Sequence, residues 1–180
     1  MFGSQVYGNQ HEDSDYDFIV VAANLLAKQE IRVDDANIHI HTPDVFLAGL
    51  KEYQLNYLEC IYAPPFAKLQ EKMVQPDKNF ILKPDMLKYK GMGHSFNAFH
   101  KAKEKMNEGD TWRGVKSLWH SIRILQFFDQ ILEHGKIIDF SSANDIWNMI
   151  LEDYDNDEEE WIFYKEKYLP IKINFENKLK

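Results

Sequence analysis

The chain has 180 residues, a formal net charge of −8, and hydrophobic and aromatic shares of 44% and 14%. That balance supports a packed core and excludes both a disordered chain and a non-specific coat for nucleic acid. The single cysteine, Cys60, excludes an intrachain disulfide and suits a reducing compartment. No run of about 18 apolar residues would span a bilayer, and the N-terminus lacks the basic and apolar regions of a signal peptide. The expectation is a cytoplasmic protein with no membrane partner.

Residues 1–9 read as a turn with at most one helical turn, Gly3 and Gly8 acting as breakers. Residues 15–22 read as a strand. With a period of two, Asp15 and Asp17 point to one side and Tyr16 and Phe18 to the other. Asn24–Glu30 is expected as a short helix. Asn37–His41 alternates and predicts a second strand with one buried face. Thr42-Pro43-Asp44 then starts a helix, with Thr42 as N-cap and Pro43 at the first helical position. That helix carries Val45, Phe46, Leu50 and Tyr53. Leu55–Ala63 predicts another, ended by Pro64-Pro65.

From about Pro84 the pattern is helical. Gly91 and Gly93 are candidate breaks within Met86–Met106. Asp110 or Thr111 caps a long helix that stops at Gly135, with Val115, Leu118, Trp119, Ile122, Leu125 and Ile131–Leu132 as its apolar stripe. Further helices are expected at 142–152 and 158–167. The predicted division is a small α/β part over residues 1–82 and a helical part over 83–180. The four tryptophans, Trp112, Trp119, Trp147 and Trp161, read as core rather than base-stacking residues. Charge follows a different division. Residues 83–123 carry nine Lys and Arg against four acids, a net +5, which leaves −13 elsewhere, much of it in Glu152–Glu160. That acidic run reads as a solvated loop and helix start.

The residues that bear chemistry stand in the first twenty positions. Gly3 allows close approach of backbone to phosphate, and Ser4 adds a hydroxyl and an N–H. Asp15 and Asp17, two residues apart on one strand face, are suited to Mg²⁺ (or Mn²⁺), which takes carboxylate and phosphate oxygens. Together they describe a site for a metal-bound nucleoside triphosphate. Phe2-Gly3-Ser4, ten residues, then Asp15-Tyr16-Asp17-Phe18 resembles the signature of the DNA polymerase β-like nucleotidyltransferase superfamily. Gly3-Ser4-Gln5-Val6-Tyr7-Gly8 and Asp13-Ser14-Asp15-Tyr16-Asp17 are similar to its bacterial and phage branch of predicted nucleotidyltransferases, with Val6 in place of the common Ala.

The resemblance covers about residues 2–64 and 96–140. It implies an α+β protein: a small polymerase β-like sheet followed by a helical domain that forms the other wall of a cleft. It also implies transfer of a nucleotide from an NTP to an acceptor hydroxyl, with release of pyrophosphate. Asp15 and Asp17 would carry the metal. Gly3, Ser4 and Tyr7 would contact the nucleotide. Lys116, His120 and Arg123, at i, i+4 and i+7 on one helix face, would contact triphosphate or acceptor. Phe96, Lys101 and Lys103 resemble the helix before it, and Phe46, Asn56, Leu58-Glu59 and Ala63-Pro64 resemble the family's helix and tail.

Two departures stand out. The family's third carboxylate falls at Asn37, which cannot act as a base. Asp35 has the same parity and would serve as the third catalytic acid if the strand starts early, whereas His39 and His41 read as the polar face. The family also has a helix and a strand before Gly-Ser, where only Met1-Phe2 stand here. The sheet is then expected to lack its first strand or to be completed by a partner chain or a second copy. The acceptor is RNA, protein or a small molecule. The competing expectation is a catalytically impaired, antitoxin-like or regulatory protein that binds nucleotide or a partner.

Overall fold

The computed structural model of the chain describes residues 1–10, 14–24, 29–69 and 80–180. The fold is α+β and mostly helical, with one small mixed sheet. Two compact units divide it, Met1–Leu82 and Lys83–Lys180. Among the described residues, no helix is long and apolar enough to cross a membrane.

The first unit begins with a single helical turn, α1 (Ser4–Tyr7), between Gly3 and a left-handed Gly8. Three strands follow: β1 (Tyr16–Val21), β2 (Gln29–Val33) and β3 (Ala36–His41), in the order β1-β3-β2. β1 and β3 are parallel, with Asp17 opposite Asn37 and Val21 opposite His41. β2 and β3 form an antiparallel hairpin, Ile31 opposite Ile38, through the two-residue turn Asp34-Asp35. Asp34 takes φ 50° there, a left-handed conformation that Asp tolerates better than most residues. On the far edge of β1, Phe2 makes one antiparallel bridge to Asp17.

The sequence did not disclose β2. Of the helix expected over Asn24–Glu30, residues 25–28 lie outside the described residues. Gln29 and Glu30 open the strand instead, because β3 offers a complete antiparallel partner.

Two helices follow β3, α2 (Pro43–Lys51) and α3 (Leu55–Tyr62). Thr42 caps α2 as expected, its hydroxyl accepting from Val45 N at 3.3 Å. Tyr53 falls beyond the end of α2, at φ 53°, and is buried there with its hydroxyl donating to Ile81 O. Gly49 admits the Tyr57 ring so closely that a Cβ would stand 2.2 Å from it. Tyr57 in turn hydrogen-bonds His41 Nδ1 at 3.0 Å and meets Phe46 edge-on. The core of this unit is therefore aromatic and lies at the His41 end of β3, around Phe46, Leu50, Tyr57 and Leu58.

The second unit contains α4 (Pro84–Asn107), α5 (Thr111–His134), α6 (Asn144–Asp155) and α7 (Trp161–Leu179). α5 is the central helix and packs against the other three. Asp110 is its N-cap, accepting from Arg113 N, and left-handed Gly135 ends it. α4 runs unbroken through both glycines. Gly91 lies against Phe128, whose Cγ a Cβ would meet at 2.7 Å, so this glycine sets helix contact rather than a break. α6 and α7 end later than periodicity predicts, and α7 continues past Pro170 because Tyr164, Tyr168, Lys172 and Leu179 are all buried. Trp112, Trp119 and Trp147 interlock, and Trp161 meets Phe99 edge-on. Trp119 Nε1 donates to Ala143 O at 2.9 Å, which satisfies its one polar atom in the core.

Candidate functional site

The parallel pairing of β1 with β3 sets the geometry. Asp17 and Asn37 are directly opposite, so both side chains share one face, and Asp15 precedes them by one pleat. Asn37 Nδ2 donates to Asp15 Oδ2 at 3.2 Å and to Asp17 Oδ1 at 3.4 Å. The two carboxylates thus converge on one amide nitrogen. Arg32, on β2 and opposite Asn37, donates from Nη2 to Asp15 Oδ1 at 3.1 Å.

Gly3 closes the other side of Asp17. Its φ of 85° belongs to the left-handed region that favours glycine, and a Cβ there would stand 2.8 Å from Asp17 Oδ2. Phe2 N donates to Asp17 O at 2.9 Å, which ties the turn to the strand. Gly3 O accepts from Val6 N and Tyr7 N and so starts α1. Ser4 is the first residue of that turn. Gly3 and Asp17 are therefore neighbours, with Ser4 next along the chain from Gly3.

Tyr7 and Asp35 occupy other places. Tyr7 is buried, and its hydroxyl donates to the buried Glu59 Oε2 at 2.7 Å, so it bridges α1 to α3 within the core. Asp35 is exposed in the hairpin turn, one residue before β3 starts, and its carbonyl accepts from Tyr16 N at 2.8 Å. The histidines separate as well: His41 is buried against Tyr57, while His39 lies 3.7 Å from Glu30 Oε2.

No protein-family model, curated protein or solved structure matches the chain.

The donor set bears on a divalent cation. Among the described residues, no three His, Cys, Asp or Glu side chains gather as a ligand group. Asp15 and Asp17 remain as a pair of carboxylates aimed at a common point where a positive or hydrogen-bearing group stands. That suits one Mg²⁺ completed by waters and substrate phosphate oxygens, the usual manner in which proteins hold this ion. It is one carboxylate short of the three that the family resemblance implies.

The helical unit holds a second polar cluster. Arg123 is buried, with its guanidinium over the rings of Trp119 at 5.2 Å and Phe127 at 4.9 Å. Its Nη2 lies 2.9 Å from His120 Nδ1. A guanidinium only donates, so His120 Nδ1 accepts and the neutral ring carries its proton on Nε2. Burial, followed by the charges of Arg123, Lys116 and Lys101, pushes His120 well below the usual histidine range. Lys116 lies 5.4 Å from the Trp112 ring. Lys116, His120 and Arg123 are thus brought together on α5, joined by Lys101 from α4.

Sequence reasoning missed Arg32. Its signal was the alternation Glu30-Ile31-Arg32-Val33 ahead of Asp34-Asp35, a strand with a turn after it, obscured by the helix-favouring residues just before.

Proposed function

We propose that this chain is a Mg²⁺-dependent nucleotidyltransferase, moving a nucleotide from an NTP to an acceptor hydroxyl with release of pyrophosphate. The observation that carries the reading is the convergence of Asp15 and Asp17 beside Gly3, with Asn37 bridging both carboxylates from the neighbouring parallel strand. Asp15 and Asp17 would hold the cation, which supplies charge neutralisation on the triphosphate. Gly3 and Ser4 offer backbone N–H groups and a hydroxyl to phosphate oxygens. Arg32 pairs with Asp15 and adds a bidentate donor near the anionic substrate. Within the helical unit, Lys116 and neutral His120, with Lys101, form a cationic cluster suited to an anionic ligand. Asn37 cannot take a proton from the acceptor hydroxyl, so Asp17 is assigned that role.

A second reading has its own observation. The amide of Asn37 and the guanidinium of Arg32 already satisfy the two aspartates, which favours a regulatory protein that binds nucleotide without turning it over. One experiment separates the two. The chain is incubated with Mg²⁺ or Mn²⁺, each α-labelled NTP and pools of RNA, protein and small-molecule hydroxyl acceptors, beside an Asp15→Ala/Asp17→Ala double variant. Transfer of label by the wild type alone supports the enzyme. A rise in Tm with Mg²⁺ and an NTP but no transfer supports the binding protein.

A further inference from the structure

We propose that β2 pairs with β2 of a second copy of this chain, antiparallel about a two-fold axis at Ile31, so that two three-stranded sheets become one of six strands. All five β2 residues are exposed, and among the described residues no strand pairs with the edge of β2 that faces away from β3. An open edge presents a row of N–H and C=O groups that another strand can satisfy. The other rim of the sheet is different, because Phe2 already bridges β1 there.

The side chains of β2 select both the partner and the register. A two-fold axis perpendicular to a sheet keeps each side chain on its own face, so residues that pair must have the same parity. Three such registers keep most of the strand paired. Centring on Glu30 sets Glu30 against itself, and centring on Arg32 sets Arg32 against itself. Centring on Ile31 pairs the whole of Gln29–Val33 and sets Glu30 against Arg32 twice. On the opposite face it puts Ile31 beside Ile31, and Val33 beside Gln29. Glu30 and Arg32 each have side chains about two-thirds exposed, 66% in both cases, and so can reach across. Ile31 and Val33, at 41% and 51%, are among the exposed large hydrophobics of the sheet, and pairing covers both. The strand is therefore charge-complementary to itself in one register only, which is what an isologous interface requires.

Arg32 also binds Asp15, so assembly and the carboxylate pair share one residue. The dimer itself does not rest on the nucleotidyltransferase reading. Its readout is mass rather than turnover, and the two can fail separately.

A five-residue edge is small, so the dimer should be concentration-dependent. Sedimentation equilibrium of the full chain is expected to show reversible dimerisation. Arg32→Glu or Glu30→Arg alone turns both attractive pairs repulsive and should raise the dissociation constant about tenfold or more. The double reversal Glu30→Arg/Arg32→Glu should restore it, although it abolishes the contact with Asp15. In an otherwise wild-type chain, Ile31→Cys should form an interchain disulfide on mild oxidation, because residues at the two-fold face each other with Cα atoms about 4.5–5.5 Å apart. Cys60 is a poor competitor, since burial pushes its thiol up to about 12. A monomer at every soluble concentration would overturn the proposal. So would single reversals that leave the dimer intact, a double reversal that fails to restore it, or an Ile31→Cys chain that stays uncrosslinked.

Discussion

The two units solve the problem of burial differently. In Lys83–Lys180 a single helix, α5, is wrapped by three others, and most of the largest fully buried side chains, from Leu87 to Tyr168, belong there. Among the described residues of Met1–Leu82 only Leu50 and Leu58 are of that kind, and of the residues in the three strands only His41 is buried. The sheet shows Tyr16, Val20, Ile31 and Val33 to solvent on one face, and gathers Asp15, Asp17, Asn37 and Arg32 on the other. The lesson is that stability and candidate chemistry are housed apart. The helical unit holds the deep core, whereas the sheet unit is shallow and held by specific polar and aromatic contacts.

The sharpest way to break that contrast is to open the helical core. Phe128 is fully buried and lies against Gly91 of α4. Phe128→Ala should destabilise the helical unit by about 3–5 kcal/mol. Chemical denaturation followed by tryptophan fluorescence reports on that unit alone, since Trp112, Trp119, Trp147 and Trp161 all belong to it. An equal loss in far-UV signals of the sheet unit would show that the two are not energetically separate.

The sheet unit should respond instead to its backbone. Gly3→Ala places a Cβ at φ 85° and 2.8 Å from Asp17 Oδ2. Strain of about 1–3 kcal/mol is expected, together with weaker Mg²⁺ binding by titration calorimetry, while tryptophan fluorescence stays unchanged. Asn37→Asp is a subtler probe of the same place. It replaces the amide donor to Asp15 and Asp17 with a third negative charge. Without metal the variant should lose about 1–3 kcal/mol through like-charge contact and a lost donor. Mg²⁺ should restore it and bind more tightly than to wild type. A variant indifferent to Mg²⁺ would count against any cation between these carboxylates.

Much of this arrangement was legible in the chain because it depends on local rules. Thr42-Pro43, Asp110 and Gly135 mark helix ends through their own backbone chemistry, and the period of two around Asp15 and Asp17 predicts a shared face. What was not legible depends on distant partners. β2 exists because β3 completes it. Gly91 reads as a break in one dimension, yet in three it is the point where α4 meets Phe128. Tyr7 lies inside a motif that suggests a ligand contact, but its hydroxyl goes to Glu59, fifty-two positions later. Nothing within nine residues of Tyr7 announces that bond.

The smallest expected effect concerns His120, a half-buried histidine among cations. His120 accepts from Arg123 and is held neutral, well below the usual histidine range, by burial and by Arg123, Lys116 and Lys101. An unfolded chain binds a proton at this site near pH 6.5, and the folded chain does so only at lower pH. Between those limits the unfolded state carries more protons, so stability falls as pH falls. Above about pH 6.5 both states are neutral and the group contributes no slope. The helical unit should therefore lose Tm on acidification from pH 6.5, with a slope that approaches one proton. His120→Gln should remove most of that slope, because its amide oxygen can accept from Arg123 without titrating. The sheet unit has a different histidine arrangement, with His41 bonded to the Tyr57 hydroxyl. A pH profile of the helical unit that is unaffected by His120→Gln would locate the acid sensitivity outside this cluster.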